Sequence, residues 1–482
     1  MKILLVDPVG VTFGPAPALA YIGAFLKTKG YSVKGLDLSD FRGNAYKRER
    51  EVIEEYRPDI IGFSVLYSNY NWVKENSKYL KSFYQSKIVL GGPQITAEKE
   101  MVLNDIPEVD YLVVGEGEEA MDELCQGIEG NFLFKDIKGL VYRNGNGSIV
   151  SNPIRPLFKE IDNLPFPDFS IFDVKELLYY PIMSSRGCPY NCTYCFRQFK
   201  NDWRARKPEN VIREIEEAIG KYSFPEVCFH DDSFNINPQR VIDICNLMIQ
   251  KGIKIKWSCA GIRGDRITDE MAAKMNQTGC YRVSVGVESL VPEIFDTLNK
   301  KESINDILSG IRILQKNRIE VESNFIIGLP GDTYSRTIYT FKKAFELGLK
   351  EQSWTLLLPL PGTKMWRMLY DDPSVKRLDN YKEIDMIWHP KLSRVKTAFE
   401  RPEYNVKEKL RAYHRINVKL GNPKYIVFNN PLLSIFSLFW TIVRYDAFSL
   451  PKCFLKIAKK FIRKIFRDPL FFRKLKKYIR QV

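Results

Sequence analysis

The run Ser185-Arg186-Gly187-Cys188-Pro189-Tyr190-Asn191-Cys192-Thr193-Tyr194-Cys195-Phe196 decides the reading of the whole chain. Its three thiols stand at C-x3-C-x2-C spacing. In a chain with no sign of secretion, thiols this close read as metal ligands and not as disulfide partners. A cubane iron–sulfur cluster normally takes four thiolates, one on each iron. Three thiolates leave one iron open to a ligand from outside the protein. The competing assignments are a zinc knuckle or buried free thiols. Zinc asks for a fourth Cys or His close by, and the nearest histidine, His230, lies well outside knuckle spacing. Cys188, Cys192 and Cys195 are therefore read as ligands of a [4Fe-4S] cluster.

The 482 residues leave room for two or three domains, each able to bury its own core. Over residues 1–150, strands are expected at Ile3–Val6, Val33–Leu36, Ile60–Phe63, Ile88–Leu90 and Tyr111–Val114. Helices are expected at Ala18–Lys29, Lys47–Glu55, Val73–Tyr84, Thr96–Leu103 and Glu119–Cys125. That succession predicts an α/β fold with a doubly wound parallel sheet. Such sheets bind ligands at the carboxyl ends of their strands. There this chain carries Asp7-Pro8 with Gly14-Pro15, Ser64 through Asn69, Gly91-Gly92-Pro93-Gln94 and Gly115-Glu116-Gly117-Glu118. Pro153, Pro156, Pro165 and Pro167 mark a linker over 151–178. A second βα series occupies 179–400. Its strands are expected near Met183–Ser185, Glu226–His230, Lys254–Ser258, Arg282–Gly286, Val321–Ile327 and Trp354–Leu358. Its helices are expected at Asn210–Lys221, Pro238–Lys251, Asp269–Thr278, Ile304–Lys316 and Tyr334–Glu346.

The cysteine run followed by this series resembles the radical S-adenosylmethionine (SAM) superfamily. The segments Gly-Gly-Pro-Gln-Ile-Thr (91–96) and Val-Val-Gly-Glu-Gly-Glu-Glu (113–119) resemble the cobalamin-binding domain that precedes it in one large subfamily, the cobalamin-dependent radical SAM methyltransferases. The likeness covers roughly residues 1–365. It implies a partial (β/α)6 barrel over 179–400, with function at the carboxyl ends of the strands. It further implies that SAM chelates the open iron through its amino and carboxylate groups, with Tyr194 near the adenine. In Phe229-His230-Asp231-Asp232-Ser233-Phe234-Asn235, either Asp231 or Asp232 would accept from the SAM ammonium; an Asx turn capping the next helix is the alternative. Glu288, in Ser284-Val285-Gly286-Val287-Glu288-Ser289, would lie near the ribose. Gly328, in Asn324-Phe325-Ile326-Ile327-Gly328-Leu329-Pro330-Gly331-Asp332, would form the adenine-contacting turn, and Leu358-Pro359-Leu360-Pro361-Gly362-Thr363 is typical of the subfamily.

For cobalamin, the resemblance points to Gly14, Ser64, Asn69, Gly91, Gly92, Pro93, Gly115 and Glu116. One departure stands out. Many cobalamin domains offer a histidine as the lower axial ligand of cobalt, and no histidine precedes His230 here. The N-terminal domain cannot supply that ligand.

The implied chemistry is reductive cleavage of SAM to methionine and a 5′-deoxyadenosyl radical, hydrogen abstraction from an unactivated carbon, and methyl supply from cobalamin, re-methylated by a second SAM. An electron donor such as flavodoxin or ferredoxin is implied as a partner. The substrate class is a small molecule or something lipid-like, and no single catalytic residue is singled out. The rival enzyme reading is a radical cyclase or rearrangement enzyme without methyl transfer. The rival of another class is a non-catalytic cobalamin- or membrane-binding protein. A methylthiotransferase acting on RNA would bring a second cysteine triplet to the first domain, where only Cys125 occurs.

Charge is unevenly placed. Residues 401–482 hold 20 Lys/Arg against 4 Asp/Glu, a net of +16, whereas the whole chain carries +15. The basic character belongs to a C-terminal tail. Within it, Pro431–Val443 is apolar for 13 residues, short of the roughly 20 a spanning helix needs. Phe454, Ile457, Ala458, Phe461, Ile462 and Ile465 then recur at helical spacing opposite Lys456, Lys459, Lys460, Arg463, Lys464 and Arg467. A basic amphipathic helix of this kind suits an anionic membrane surface. The alternatives are a helix packed on the barrel with a solvated basic side and, set further aside, a nucleic-acid contact. Nine scattered or clustered cysteines fit a reducing cytoplasm, with peripheral attachment to the inner membrane face. Trp203-Arg204-Ala205-Arg206 and Arg263-Gly264-Asp265-Arg266 are read as solvated charges or contacts to SAM or cobalamin, and Cys280 as a core thiol.

Overall fold

The computed structural model describes residues 1–10, 14–39, 41, 43–196, 202–378 and 397–420. These divide into two units, Met1–Leu177 with Phe196–Ser223, and Leu178–Cys195 with Phe224 onward. The first unit is built on a seven-stranded sheet in the order Ser32–Asp37, Lys2–Asp7, Ile60–Ser64, Lys87–Gly91, Tyr111–Val113, Leu140–Arg143, Ile149–Ser151. The first five strands are parallel, as expected. Ile3, Leu4, Ile60, Ile61, Ile88 and Leu90 are fully buried, because a parallel sheet covered on both faces needs continuous apolar runs.

Two features differ from the sequence expectation. The helix expected at Thr96–Leu103 is two helices, Pro93–Glu98 and Glu100–Asp105, divided where Lys99 takes φ +47° and ψ −120°. The antiparallel pair Leu140–Arg143 and Ile149–Ser151 was not expected. The turn chemistry for it was present in Asn144-Gly145-Asn146-Gly147, but its strands are too short to show a clear alternation.

The proline-marked segment 151–178 packs within the first unit. Asp168 accepts from Lys27 and Lys221, each at 2.7 Å, and from the Ser170 hydroxyl at 2.6 Å. Burial pushes its carboxyl up, but these donors outweigh it and hold the group well below the usual carboxylate range. They also fasten helix Pro208–Lys221 to this unit.

The second unit holds a six-stranded parallel sheet in strictly consecutive order: Tyr180–Ile182, Glu226–Phe229, Lys256–Ile262, Cys280–Glu288, Glu320–Ile327 and Glu351–Leu356. Its first strand lies three residues earlier than the expected Met183–Ser185. Pro181 sits on the edge of the sheet, where a missing N–H is tolerated. Burial along the strands alternates. Val283, Val285 and Val287 are buried while Arg282, Ser284 and Gly286 are half-buried, and Phe325 and Ile327 alternate with Asn324 and Ile326 in the same way. One face therefore packs against helices and the other stays polar and partly open.

Residues 397–420 belong to this unit. Helix Val406–Leu420 packs on strand Glu351–Leu356 and helix Tyr334–Glu346, Phe399 and Tyr404 are fully buried, and Arg401 Nη2 donates to the Leu329 carbonyl at 2.6 Å. The expected tail beginning at 401 thus starts as a packed element. The apolar stretch 431–443, the basic amphipathic stretch 454–467 and Cys453 lie outside the described residues. Among the described residues no helix is long and apolar enough to cross a membrane.

One buried group makes a pH test of the first unit. Glu49 and Asn76 are fully buried beside each other without a well-formed hydrogen bond. Burial pushes the Glu49 carboxyl up to about 8, opposed only in part by the Asn76 amide. Between its unfolded value near 4.5 and about 8, the folded chain keeps a proton that the unfolded chain releases, so stability should fall as pH rises through that window. Glu49→Gln should flatten the slope. At pH 8 it should raise the urea midpoint by the equivalent of a few kcal/mol, at about 1.4 kcal/mol per pKa unit, and have little effect near pH 4.

Candidate functional site

The cysteine loop leaves the carboxyl end of strand Tyr180–Ile182, and what fixes its take-off is Asp231. That carboxylate, at the carboxyl end of the neighbouring strand, accepts from Ser184 N at 2.8 Å, Ser184 Oγ at 2.6 Å and Ser185 Oγ at 2.6 Å. Arg240 completes the knot by donating to Ser184 O at 2.6 Å. Burial raises the Asp231 pKa, while the two serines and the Arg240 charge pull the other way. Asp232 faces differently. It accepts from Gly187 N at 3.1 Å, one residue before Cys188, and stays open to solvent. Of the two acids, Asp231 is committed to the protein and Asp232 has capacity left for a ligand.

Cys188 and Cys192 are half-buried and Cys195 is exposed. For Cys192 burial raises the pKa, and the charges of Lys300 and Arg263 oppose it. Among the described residues no three Cys, His or acidic side chains converge where one metal ion could sit. Zinc gathers its sulfurs around a single centre at about 2.3 Å, whereas a cubane takes each thiolate on a different iron.

Tyr194 and Glu288 come together, the tyrosine hydroxyl donating to Glu288 Oε1 at 2.9 Å. Glu288 ends its strand at φ +64° and is buried. Lys300 Nζ lies 3.4 Å from the same carboxylate oxygen and donates to Gly286 O at 2.6 Å. A Cβ on Gly286 would stand 2.3 Å from Glu288 Oε1 and 3.1 Å from Lys300 Nζ, so this pairing requires glycine there. Gly328 adopts φ +91°, its N–H donates to Asp332 Oδ2 at 2.9 Å, and its bare face lies under the Lys409 stem. Burial lowers the Lys409 pKa to about 7 and raises that of Asp332 to about 6.

In the first unit the expected cobalamin residues lie along the carboxyl edge of the parallel strands and split into two kinds. Gly14 (φ +90°) and Gly115 (φ +93°) border open space, since a Cβ at either would meet nothing within 4 Å. Gly92 (φ +105°) is needed for packing, because a Cβ there would lie 2.8 Å from Val65 O; Pro93 begins the helix beside it. Ser64 and Gly91 end their strands. Asn69 is buried, its Oδ1 accepting from Leu66 N at 2.8 Å and its Nδ2 donating to Ser64 O at 3.4 Å. Glu116 is also buried. It accepts from Phe158 N at 2.7 Å and from Arg204 Nη1 at 3.1 and 3.0 Å. Asn69 and Glu116 therefore hold loops in place.

Three charged groups read as solvated or ligand-contacting are internal. Arg204 pairs with Glu116, and Arg206 pairs with the fully buried Glu214 and stacks on Phe166. Arg263 lies with its guanidinium 3.5 Å from the centre of the Tyr190 ring. Cys280 is buried in the core. Lys300, Ser184 and Ser185 were not foreseen. In Asn299-Lys300-Lys301-Glu302 nothing in the charge pattern separates a buried lysine from a solvated turn.

Residues 182–344 match the Radical SAM superfamily model, and residues 8–125 match the B12 binding domain. The chain is 31% identical over 388 residues to an uncharacterized methyltransferase of Pyrococcus horikoshii, covering 76% of this chain and 82% of that protein. It is 28% identical over 398 residues to the anaerobic magnesium-protoporphyrin IX monomethyl ester cyclase of Cereibacter sphaeroides, covering 78% and 64%. Its fold is similar to that of the radical SAM methyltransferase TsrM of Kitasatospora setae, solved with cobalamin and a [4Fe-4S] cluster bound, with a TM-score of 0.67, 18% identity and coverage of 79% and 81%. The site and fold are those of a radical SAM enzyme with a B12-binding domain, which uses a [4Fe-4S] cluster, SAM and cobalamin. More narrowly, the chain belongs to the cobalamin-dependent radical SAM methyltransferase family.

Asp231→Ala would leave the serine donors without their acceptor. Hydrogen bonds to a charged group contribute about 1.5–3 kcal/mol each, so the variant should lose at least that much stability in urea melts and retain less iron after reconstitution.

Proposed function

We propose that this enzyme methylates an unactivated carbon of a small-molecule or lipid-like substrate. The observation that carries the reading is the cysteine loop fixed at the carboxyl end of a parallel strand, with Asp232 at the end of the neighbouring strand and Tyr194 of the loop bonded to Glu288 at the end of another strand of the same sheet. Cys188, Cys192 and Cys195 would hold the cluster. Asp232 is suited to accept from the SAM ammonium and Glu288 to meet its ribose, both as oxygen acceptors beside a cationic ligand. The carboxyl edge at Gly14, Gly91 and Gly115 would receive cobalamin. When bound, the cluster supplies the electron that cleaves SAM and cobalamin supplies the methyl group; the protein positions them and excludes solvent. No imidazole of residues 1–177 is available to cobalt.

Cyclisation without methyl transfer is the second reading, favoured by the 28% identity to a cyclase. Anaerobically reconstituted protein given dithionite, SAM and an extract of small molecules and lipids separates the two. Methyl transfer should form S-adenosylhomocysteine alongside 5′-deoxyadenosine, whereas cyclisation should give 5′-deoxyadenosine without it. Cys192→Ala should lose the intact cluster and SAM cleavage; retained cleavage would sink the assignment.

The net charge of +16 over 401–482 supports a further reading, in which the tail holds the enzyme against an anionic membrane that contains its substrate. Each basic side chain near such a surface contributes about 1 kcal/mol. The full chain should float with anionic liposomes, less so at high salt. Removing residues 431–482 should abolish flotation, and a full chain that never floats would overturn the membrane reading.

A further inference from the structure

The segment Thr297–Glu302 grips the cysteine loop. Thr193 N donates to Leu298 O at 2.9 Å, Thr193 Oγ1 to Thr297 O at 3.2 Å, and Asn299 Nδ2 to Asn191 O at 2.8 Å. Two non-glycine residues in this stretch, Asn299 (φ +52°) and Lys301 (φ +57°), take left-handed backbone. Such conformations cost free energy and persist only where the surroundings impose them. Their effect is to turn Lys300 inward between them. Its side chain is 6% exposed, and Nζ lies 3.4 Å from Glu288 and 3.2 Å from Glu302. Arg263 closes the network. It donates to Lys300 O at 3.0 Å and Lys301 O at 3.2 Å, reaches Glu302 at 3.5 Å and covers Tyr190 of the cysteine loop.

Burying an ammonium is costly unless its partners are fixed. A surface lysine would hold this turn to the loop equally well through its backbone alone. What the buried position adds is a permanent positive charge against the loop that carries Cys192, in surroundings where charges act strongly.

We propose that Lys300 sets the reduction potential of the cluster held by Cys188, Cys192 and Cys195, its charge favouring the reduced form, with Glu302 as the counter-charge that trims the effect. The proposal rests on those cysteines holding the cluster. Reduction adds one negative charge to the cluster, supplied by one electron from a chemical reductant, and a fixed cation nearby stabilises the more negative state.

The test is an electron paramagnetic resonance-monitored redox titration of the reconstituted full chain without SAM, with iron content measured on each sample. Lys300→Met should lower the reduced-to-oxidised ratio at a fixed potential about tenfold, a shift of about 59 mV downward for one electron. Lys300→Arg should stay near the wild-type value. Glu302→Gln removes the opposing charge and should shift the potential upward. Loosened packing that merely admits water would move Lys300→Met and Glu302→Gln in the same direction, and that result would overturn the proposal. So would an unchanged potential in Lys300→Met at full iron content. Failure of the wild-type chain to take up iron would instead refute the cluster assignment on which the proposal rests.

Discussion

A single carboxylate, Asp231, ties the second strand of the six-stranded sheet to the end of the first. The cysteine loop begins two residues beyond the serines it holds. A loop that leaves a short edge strand has little sheet pairing to fix its direction, so hydrogen bonds to a buried charge must do so. The bond from Gly187 N to Asp232 continues the same device for one more residue. Adjacent acids thus divide two tasks, one facing inward to the serines and one outward to the opening.

The same division appears among the glycines of the first unit. Gly92 allows two strand-end loops to approach, with Val65 N donating to Gly91 O at 2.8 Å. Gly14 and Gly115 show similar positive φ but face open space. A glycine-rich strand end is therefore an ambiguous sign of ligand binding until the space around each Cα direction is known. The acids divide likewise, since Glu116 stands in a glycine-rich turn yet is consumed by Arg204 and Phe158.

The βα order of both units was legible because continuous or alternating apolar runs leave little choice of period. Helices Ile304–Lys316 and Tyr334–Glu346 lie where the pattern placed them, each begun by a capping side chain, Ser303 and Thr333. The cysteine triplet and the Asp-Asp pair were legible because their spacing is local. The fates of Arg204, Arg206 and Arg263 were not. Each is paired with a residue or ring distant in sequence or fixed by the local turn, and a charge reads the same in the sequence whether solvated or buried. The edge strand Tyr180–Ile182 lies earlier than the expected Met183–Ser185, and its Pro181 excludes a central strand but permits an edge.

Around the loop, buried charges gather. Glu288, Lys300, Glu302 and Arg263 are all enclosed, and ion pairs through Lys300 and Glu302 link all four. Replacing such a network with apolar side chains is often neutral or stabilising in proteins at large, so stability alone gives no reason to retain it. The glycine at position 286, which leaves room for Glu288 and Lys300 to meet, and the left-handed residues on either side of Lys300 are further costs borne for the same arrangement. These costs converge on the few residues that contact the cysteine loop. The electrostatics at the loop, more than the rigidity of the sheet, is what this part of the fold is built to hold.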